Sequence, residues 1–168
     1  MAPAEPIILL DRVKLSLTSR AGTVDILKGI SLSIGPGESV AIVGASGSGK
    51  TSLLMVVGGL ERTTGGSVRV IGHEFAGRSE DDLARIRGAG IGIVFQSFHL
   101  VPTMTAIENV ALPLEFAGAA DAWERARAAL DQVGLSSRAD HFPAELSGGE
   151  QQRVAIARAI GPRPRLLL

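Results

Sequence analysis

Eight consecutive residues, from Gly44 to Thr51, have the types and spacing that grip a phosphate group. They run Gly-Ala-Ser-Gly-Ser-Gly-Lys-Thr and match the pattern G-x-x-x-x-G-K-[ST] in full. Glycines let a backbone turn so that successive N–H groups converge on one anion. Lys50 adds a full positive charge, and the hydroxyl of Thr51 is an oxygen ligand of the kind that Mg²⁺ prefers. The loop therefore predicts a nucleotide site, which kinases, GTPases and many ATPases have in common.

A second glycine cluster, Leu146 to Arg153, has the sequence Leu-Ser-Gly-Gly-Glu-Gln-Gln-Arg. Ser147 and Glu150 have the spacing of a capping box, in which each side chain bonds the other residue's backbone N–H at the start of a helix. A capping box does not require the two glycines between them, which cost helix stability, about 1 kcal/mol each relative to alanine. Glycine does leave backbone N–H groups open to close approach by an anion. The cluster thus predicts a second phosphate-binding surface.

A glutamine, Gln96, lies between the two glycine clusters and directly follows the apolar stretch 91–95. Its amide oxygen can accept a hydrogen bond from an attacking water or ligate Mg²⁺. A single glutamine after a strand is otherwise an ordinary loop residue, so its position between the clusters is what singles it out.

The hydrophobic periodicity places these residues on an α/β fold. Strands are predicted over 7–17, 26–34, 39–43, 67–71 and 91–95, with a hairpin connection over 18–25, a turn over 35–38 and a last strand beginning at 165. Helices are predicted over 50–60, 79–88, 106–116, 121–133 and 147–160, with Gly65 and Gly66 as a break after the first of them. The expected division is a nucleotide-binding core over 1–96, a helical part over 97–160 and the start of a strand over 161–168.

Composition excludes several classes of protein. Lysine plus arginine and aspartate plus glutamate number 17 each, so no net field favours nucleic acid or anionic lipid. The absence of cysteine excludes disulfides and cysteine-based zinc sites. Neither a secretory signal at the N-terminus nor a stretch of about 18 apolar residues is present, so we expect neither export nor membrane spanning.

Taken together, the two glycine clusters resemble the phosphate loop and the signature motif of ABC-type ATPases. The resemblance implies a P-loop NTPase core, with a RecA-like sheet and an N-terminal antiparallel β part, plus a helical subdomain. It implies ATP and Mg²⁺ as cofactors, Lys50 and Gln96 as catalytic residues, and Thr51 and Gln96 near the metal. The implied ATP contacts are Gly44, Ala45, Ser46, Gly47, Ser48, Gly49, Lys50, Thr51 and Ser52.

In that family the signature motif closes over ATP held by another subunit. The resemblance therefore implies a head-to-tail pair of ATPase subunits with two ATP molecules between them. The implied contacts to the partner's ATP are Ser147, Gly148, Gly149, Glu150 and Gln151.

The stretch 98–114 narrows the resemblance to the branch that serves lipoprotein release, macrolide export and cell-division permeases. This implies a transmembrane permease as partner and a peripheral location on the cytoplasmic face of the inner membrane. The position of Gln96 resembles the loop that couples the nucleotide site to the permease. His99, which stands beside aromatic residues without metal-binding partners, is expected to be a packing or contact residue.

Two departures from the family pattern stand out. The stretch from Leu15 to Ile26 has no aromatic residue to stack on adenine, so the base would meet an aliphatic surface or Arg20. The apolar run ending at Leu168 resembles the Walker B strand, yet neither its aspartate, nor the catalytic glutamate, nor the switch histidine follows. We therefore expect an incomplete chain whose core lacks its C-terminal part. We assign no general base among the other acids considered, which are Asp131, Asp140 and Glu145.

Two alternatives remain open at this stage. ABC-type ATPases of DNA repair and chromosome structure share both glycine motifs, but they insert coiled coils or zinc modules, and here neither heptads nor cysteine pairs join the motifs. A non-hydrolysing regulatory or interaction module would retain the fold and the phosphate contacts without turnover. We expect no nucleic-acid partner.

Overall fold

The structure is a computed structural model that describes residues 5–19 and 22–168. The chain forms two compact units, Met1–Arg87 and Gly88–Leu168. Both contain sheet and helix, which confirms the predicted α/β class. The predicted boundaries at 96 and 160 divide the chain by function, whereas these units divide it by compactness, so those boundaries stay a prediction.

The first unit has a four-stranded antiparallel sheet. Its strands are β1 (Ile8–Ser19), β2 (Gly22–Ile34), β3 (Gly65–Val70) and β4 (His73–Glu74), in the order β2-β1-β3-β4. Alternate side chains of β1 are buried, as expected for a strand with one covered face. The alternation shifts by one residue between Leu10 and Val13, where Arg12 has a φ of 47° and the register is irregular. This bulge keeps Val13 and Leu15 in the core.

Two strand predictions in this unit are wrong. The connection predicted over 18–25 is much shorter, because Thr18 pairs with Thr23 and Ser16 with Asp25 within the β1–β2 ladder. The predicted buried strand over 39–43 is not a strand, and Val43 is 87% exposed. A strand requires a hydrogen-bonded neighbour, and none of the described strands pairs with this segment. Apolar composition alone could not reveal the missing neighbour.

One helix of this unit packs against the sheet, and a second follows β4 along the chain. Helix α1 (Lys50–Val57) buries Leu53, Val56 and Val57, and it ends three residues earlier than predicted because the chain turns at Gly59, where φ is +65°. The two glycines predicted to break it, Gly65 and Gly66, instead begin β3. Helix α2 (Glu80–Gly90) begins as predicted after Ser79, whose hydroxyl oxygen accepts a hydrogen bond from the Asp82 backbone N–H at 3.1 Å.

The second unit is mainly helical. Helices α3 (Ala106–Phe116), α4 (Ala122–Gln132) and α5 (Gly148–Ile160) lie within two residues of their predicted ends and share one apolar core. Two short strands, β5 (Ile91–Gly92) and β6 (Leu166–Leu167), pair in parallel. The strand predicted over 91–95 is thus shorter, although the N–H of Val94 still donates to the Leu168 carbonyl. Among the described helices, none is both long and apolar enough to cross a membrane.

Candidate nucleotide-binding residues

The phosphate loop leads from segment 39–43 into α1. Gly47 and Gly49 have φ angles of +78° and +89°, a region that favours glycine. A Cβ on Gly49 would stand 3.1 Å from the Ile26 carbonyl oxygen and 3.2 Å from Leu27 Cδ2. Glycine at 49 therefore lets the end of the loop lie directly against β2.

The N-terminus of α1 is open. Gly49 is its N-cap residue, no side chain caps it, and its first turn contains no acidic residue. The first N–H groups of any α-helix lack intrahelical acceptors. The helix dipole also places a partial positive charge at this end of α1. This donor set fits a phosphate group, and it contrasts with α3, where Thr105 and Glu108 close the N-terminus with a capping box.

The Lys50 ammonium lies over the start of the loop. Its Nζ donates to the Gly44 carbonyl at 2.9 Å and to the Ala45 carbonyl at 2.7 Å. The cation of Lys50 thus lies against the backbone at the start of the loop, and Thr51 is exposed. The contacts that all nine residues from Gly44 to Ser52 would make with ATP stay predictions.

The surface expected to meet the adenine is aliphatic in the structure. Leu17 and Val24 pair directly across β1 and β2 and are 48% and 63% exposed. They lie near Ile26 on the same hairpin, the residue against which the loop packs at Gly49. Arg20, the other predicted contact, lies outside the described residues.

The signature motif forms the predicted capping box at the start of α5. The Ser147 backbone N–H and hydroxyl donate to Glu150 Oε2 at 2.8 and 2.7 Å, and the Glu150 N–H donates to Ser147 Oγ at 3.3 Å. Hydrogen bonds from Ser147 are the main cause that lowers the pKa of the Glu150 carboxyl. Arg138, which lies 3.2 Å from Glu150 Oε1, lowers it further. Hydrogen bonds to Glu150, which is itself paired with Arg138, thus hold Ser147 in place.

Gly148 and Gly149 have no structural need to be glycine. Neither has a positive φ. A Cβ on Gly148 would meet nothing within 4 Å, and one on Gly149 would meet only the end of Arg153 at 3.8 Å. Because α5 has room for side chains there, neither the backbone conformation nor the packing of this helix requires glycine at these two positions.

The other predicted residues of the second unit have separate environments. Gln96 is exposed, and its amide has no hydrogen-bond partner among the described residues. Gln151 Nε2 donates to the carbonyls of Pro143 and Leu146, so it braces the turn before α5. His99 stacks on Phe95 with ring centroids 4.9 Å apart, which agrees with its expected packing role.

Local contacts also occupy two of the three acids that were not assigned as a base. Asp131 Oδ1 accepts a hydrogen bond from the Ser136 hydroxyl at 2.7 Å, and Glu145 Oε2 accepts one from the Phe142 backbone N–H at 2.7 Å. Asp140 is exposed. These positions support leaving the general base unassigned.

One important residue was missed. Asn109 is fully buried in α3, where its Oδ1 accepts from the Val101 N–H at 2.7 Å. Its Nδ2 donates to the carbonyls of Val101, Met104 and Thr105. The amide therefore shapes the loop before α3. An asparagine within an apolar helical stretch was the available signal.

The α/β fold and the glycine-rich loop before α1 define a nucleotide-binding protein of the P-loop class. Comparison with known families makes this more specific: the family model described as ABC transporter matches residues 27–168. The chain therefore belongs to the ABC transporter ATP-binding family.

Individual relatives agree with the predicted branch. The chain is 53% identical over 147 residues to the lipoprotein-releasing system ATP-binding protein LolD of Geobacter metallireducens, covering 86% of this chain and 65% of LolD. It is 48% identical over 159 residues to the macrolide export ATP-binding/permease protein MacB of Burkholderia thailandensis, covering 94% of this chain and 24% of MacB. These relatives confirm an ATP-binding subunit of the lipoprotein-release and macrolide-export type.

A solved structure agrees with the fold. The dimeric post-hydrolysis structure of the ATP-binding cassette MJ0796, bound to ADP and Pi, superposes with a TM-score of 0.90 at 38% identity. The match covers 95% of this chain and 72% of that cassette.

Proposed function

We propose that this ATP-binding subunit holds ATP with Mg²⁺ on the loop Gly44–Thr51 and couples its binding and hydrolysis to a membrane permease. The permease would serve export, lipoprotein release or the cell envelope. A peripheral position on the cytoplasmic face of the inner membrane follows from that partnership. The similarity to LolD, a lipoprotein-releasing system ATP-binding protein, and to MacB, a macrolide export ATP-binding/permease protein, supports this assignment.

One observation carries the phosphate assignment: α1 begins with no side-chain cap, and the ammonium of Lys50, its first residue, lies on the carbonyls of Gly44 and Ala45 at the start of the same loop. Unpaired helical N–H groups and a full positive charge both favour an anion, and the loop glycines admit it to the backbone. The adenine would rest on the aliphatic pair Leu17–Val24. Such a surface lacks the stacking of an aromatic ring, so we expect weak discrimination between ATP and GTP.

Thr51 and Gln96 would supply oxygen ligands near Mg²⁺, which when bound would neutralise charge on the phosphates. Lys50 would exchange its two carbonyl partners for phosphate oxygens. The residues Ser147, Gly148, Gly149, Glu150 and Gln151 would face ATP held by a second subunit. None of the described carboxylates is proposed as general base, so hydrolysis is proposed from the family and binding from this chain's own residues.

The test is equilibrium binding of ATP with Mg²⁺ to the 168-residue chain, measured by calorimetry. Lys50→Ala removes a charge-assisted contact with phosphate, and we expect its affinity to fall by at least tenfold, since such bonds contribute about 1.5–3 kcal/mol. Lys14→Ala, an exposed lysine on β1, is the matched control and should bind like the parent. Equal affinities for the parent and Lys50→Ala would refute the assignment of the loop.

A further inference from the structure

The turn after Gln96 has an unusual backbone. Phe98 and His99 have φ angles of +60° and +48°, although neither is glycine. The His99 N–H donates to the Ser97 carbonyl at 2.6 Å and the Phe98 N–H to the Phe95 carbonyl at 3.0 Å, so the chain reverses tightly. Side chains disfavour this left-handed region, and consecutive residues persist there only when their surroundings hold them.

An arginine on α5 holds this turn. Arg158 Nη2 donates to the Phe98 carbonyl at 2.6 Å, and Nη1 donates to the His99 carbonyl at 2.7 Å. The planar guanidinium therefore bridges the carbonyls of the same two residues that carry the strained φ angles. The stacked rings of Phe95 and His99 close the turn from its other end.

Arg158 is dedicated to this task. It is partly buried, desolvation lowers its pKa, and no carboxylate of the described residues forms an ion pair with it. A cation removed from water without an acidic partner must be satisfied by oriented dipoles, here two backbone carbonyls. The two hydrogen bonds therefore require the guanidinium and both carbonyls to keep their relative positions.

We propose that Arg158 is a positioning residue that ties the turn bearing Gln96 to the helix that begins at the signature motif. Arg158 and Ser147 stand at the two ends of α5, about 16 Å apart for eleven residues of helix. A shift of the Gln96 turn would be carried along this helix to Gly148 and Gly149. The role of nucleotide in moving the turn rests on the proposed function, whereas the tie itself does not.

The tie is tested first without nucleotide, by hydrogen exchange of the amides at Phe98 and His99 in the full chain. Arg158→Gln removes both bonds to the turn, and we expect these two amides to exchange at least tenfold faster, with α3 and α4 unchanged. Arg158→Lys retains a cation and should give an intermediate rate. Arg127→Gln, an exposed arginine of α4, should match the parent.

Unchanged exchange at 98–99 in Arg158→Gln, or equal acceleration throughout α3, α4 and α5, would overturn the proposal. The second outcome would show ordinary core stabilisation instead of local positioning. If Arg158→Gln does not fold, the Lys variant decides by the same comparison between the turn and the helices.

Binding with and without metal then separates this inference from the proposed function. Because Gln96 is proposed to act near Mg²⁺, Arg158→Gln should weaken binding of ATP with Mg²⁺ by about tenfold to a hundredfold, the scale on which residues that support a metal ligand affect metal sites. Its binding of ATP in EDTA should stay at the parent value, whereas Lys50→Ala should weaken both. Equal loss under both conditions in Arg158→Gln would contradict positioning through Gln96. If Lys50→Ala has no effect on binding, the loop assignment is refuted. The hydrogen-exchange result would then still decide whether Arg158 holds the turn.

Discussion

At the scale of residues, substitutions at Gly148 and Gly149 can distinguish what the fold requires from what the proposed contact with ATP requires. Both begin α5 at positions with room for a side chain. Since alanine is a better helix former than glycine, Gly149→Ala should raise the free energy of unfolding by about 0.5–1 kcal/mol. It should also weaken any ATP-dependent association, because its methyl group would obstruct approach of a phosphate to the backbone.

Both effects are measured on one sample, by urea denaturation and by sedimentation with ATP and Mg²⁺. Gly134→Ala is a contrasting control, because Gly134 follows α4 with a φ of +70° and the change there should destabilise. A Gly149→Ala protein that is less stable than the parent would mean that the fold itself requires this glycine.

Residues differ in how far their roles could be predicted. The local setting of Lys50 and Gly49 was predictable because the glycine-rich loop and the helix after it are contiguous in sequence, whereas their roles toward ATP stay predictions. Arg158 was not, since its partners are backbone carbonyls about 60 residues away, and carbonyls carry no sequence signal. Arg138 was missed for the same kind of reason: its value depends on a fold that brings it beside Glu150.

At the scale of elements, the capping boxes of α3 and α5 each contain a carboxylate, so their contribution to stability depends on pH. Hydrogen bonds from Thr105 lower the pKa of Glu108, and those from Ser147 lower that of Glu150, both from an ordinary value of 4.5. Their unfolded forms bind protons more readily, so each stabilises the fold above about pH 4.5 and loses that contribution as pH falls through the lowered folded pKa.

We therefore expect the melting temperature to fall as the pH decreases from 5 towards 3, with α3 and α5 contributing. Glu150→Gln should reduce that dependence, because it removes one titrating group while retaining a cap acceptor. Glu124→Gln, which changes an exposed acid of α4 away from both capping boxes, is the control and should leave the dependence unchanged. Melts monitored by circular dichroism test this, and identical pH profiles for Glu150→Gln and the parent would contradict it.

At the scale of the whole molecule, prediction succeeded for helices and failed where distant strands decide the outcome. Periodicity and caps placed α3 and α5 almost to the residue, because helices are stabilised by neighbours in sequence. Segment 39–43 has the composition of a buried strand but no partner among the described strands. The proposed association of two subunits is a further step of this kind, since no local pattern contains its geometry.

A head-to-tail pair would place the loop of one chain against the signature motif of the other, so each ATP site needs one intact loop and one intact motif. Lys50→Ala alone and Ser147→Arg alone damage both sites of a homodimer, the first by removing the phosphate's cation and the second by adding bulk at the motif. We expect neither to dimerise with ATP and Mg²⁺ under conditions where the parent does.

An equal mixture of the two variants should associate again. In each mixed pair, one of the two sites combines the intact loop of the Ser147→Arg chain with the intact motif of the Lys50→Ala chain. Sedimentation equilibrium measures this, with association weaker than in the parent because only one of two sites is intact. Each variant alone, at the total protein concentration of the mixture, is the control for concentration and should stay monomeric. A loop-to-loop or motif-to-motif pair would gain nothing from mixing, since every such contact would still include a damaged surface, so failure of the mixture alongside a dimerising parent would exclude the head-to-tail arrangement.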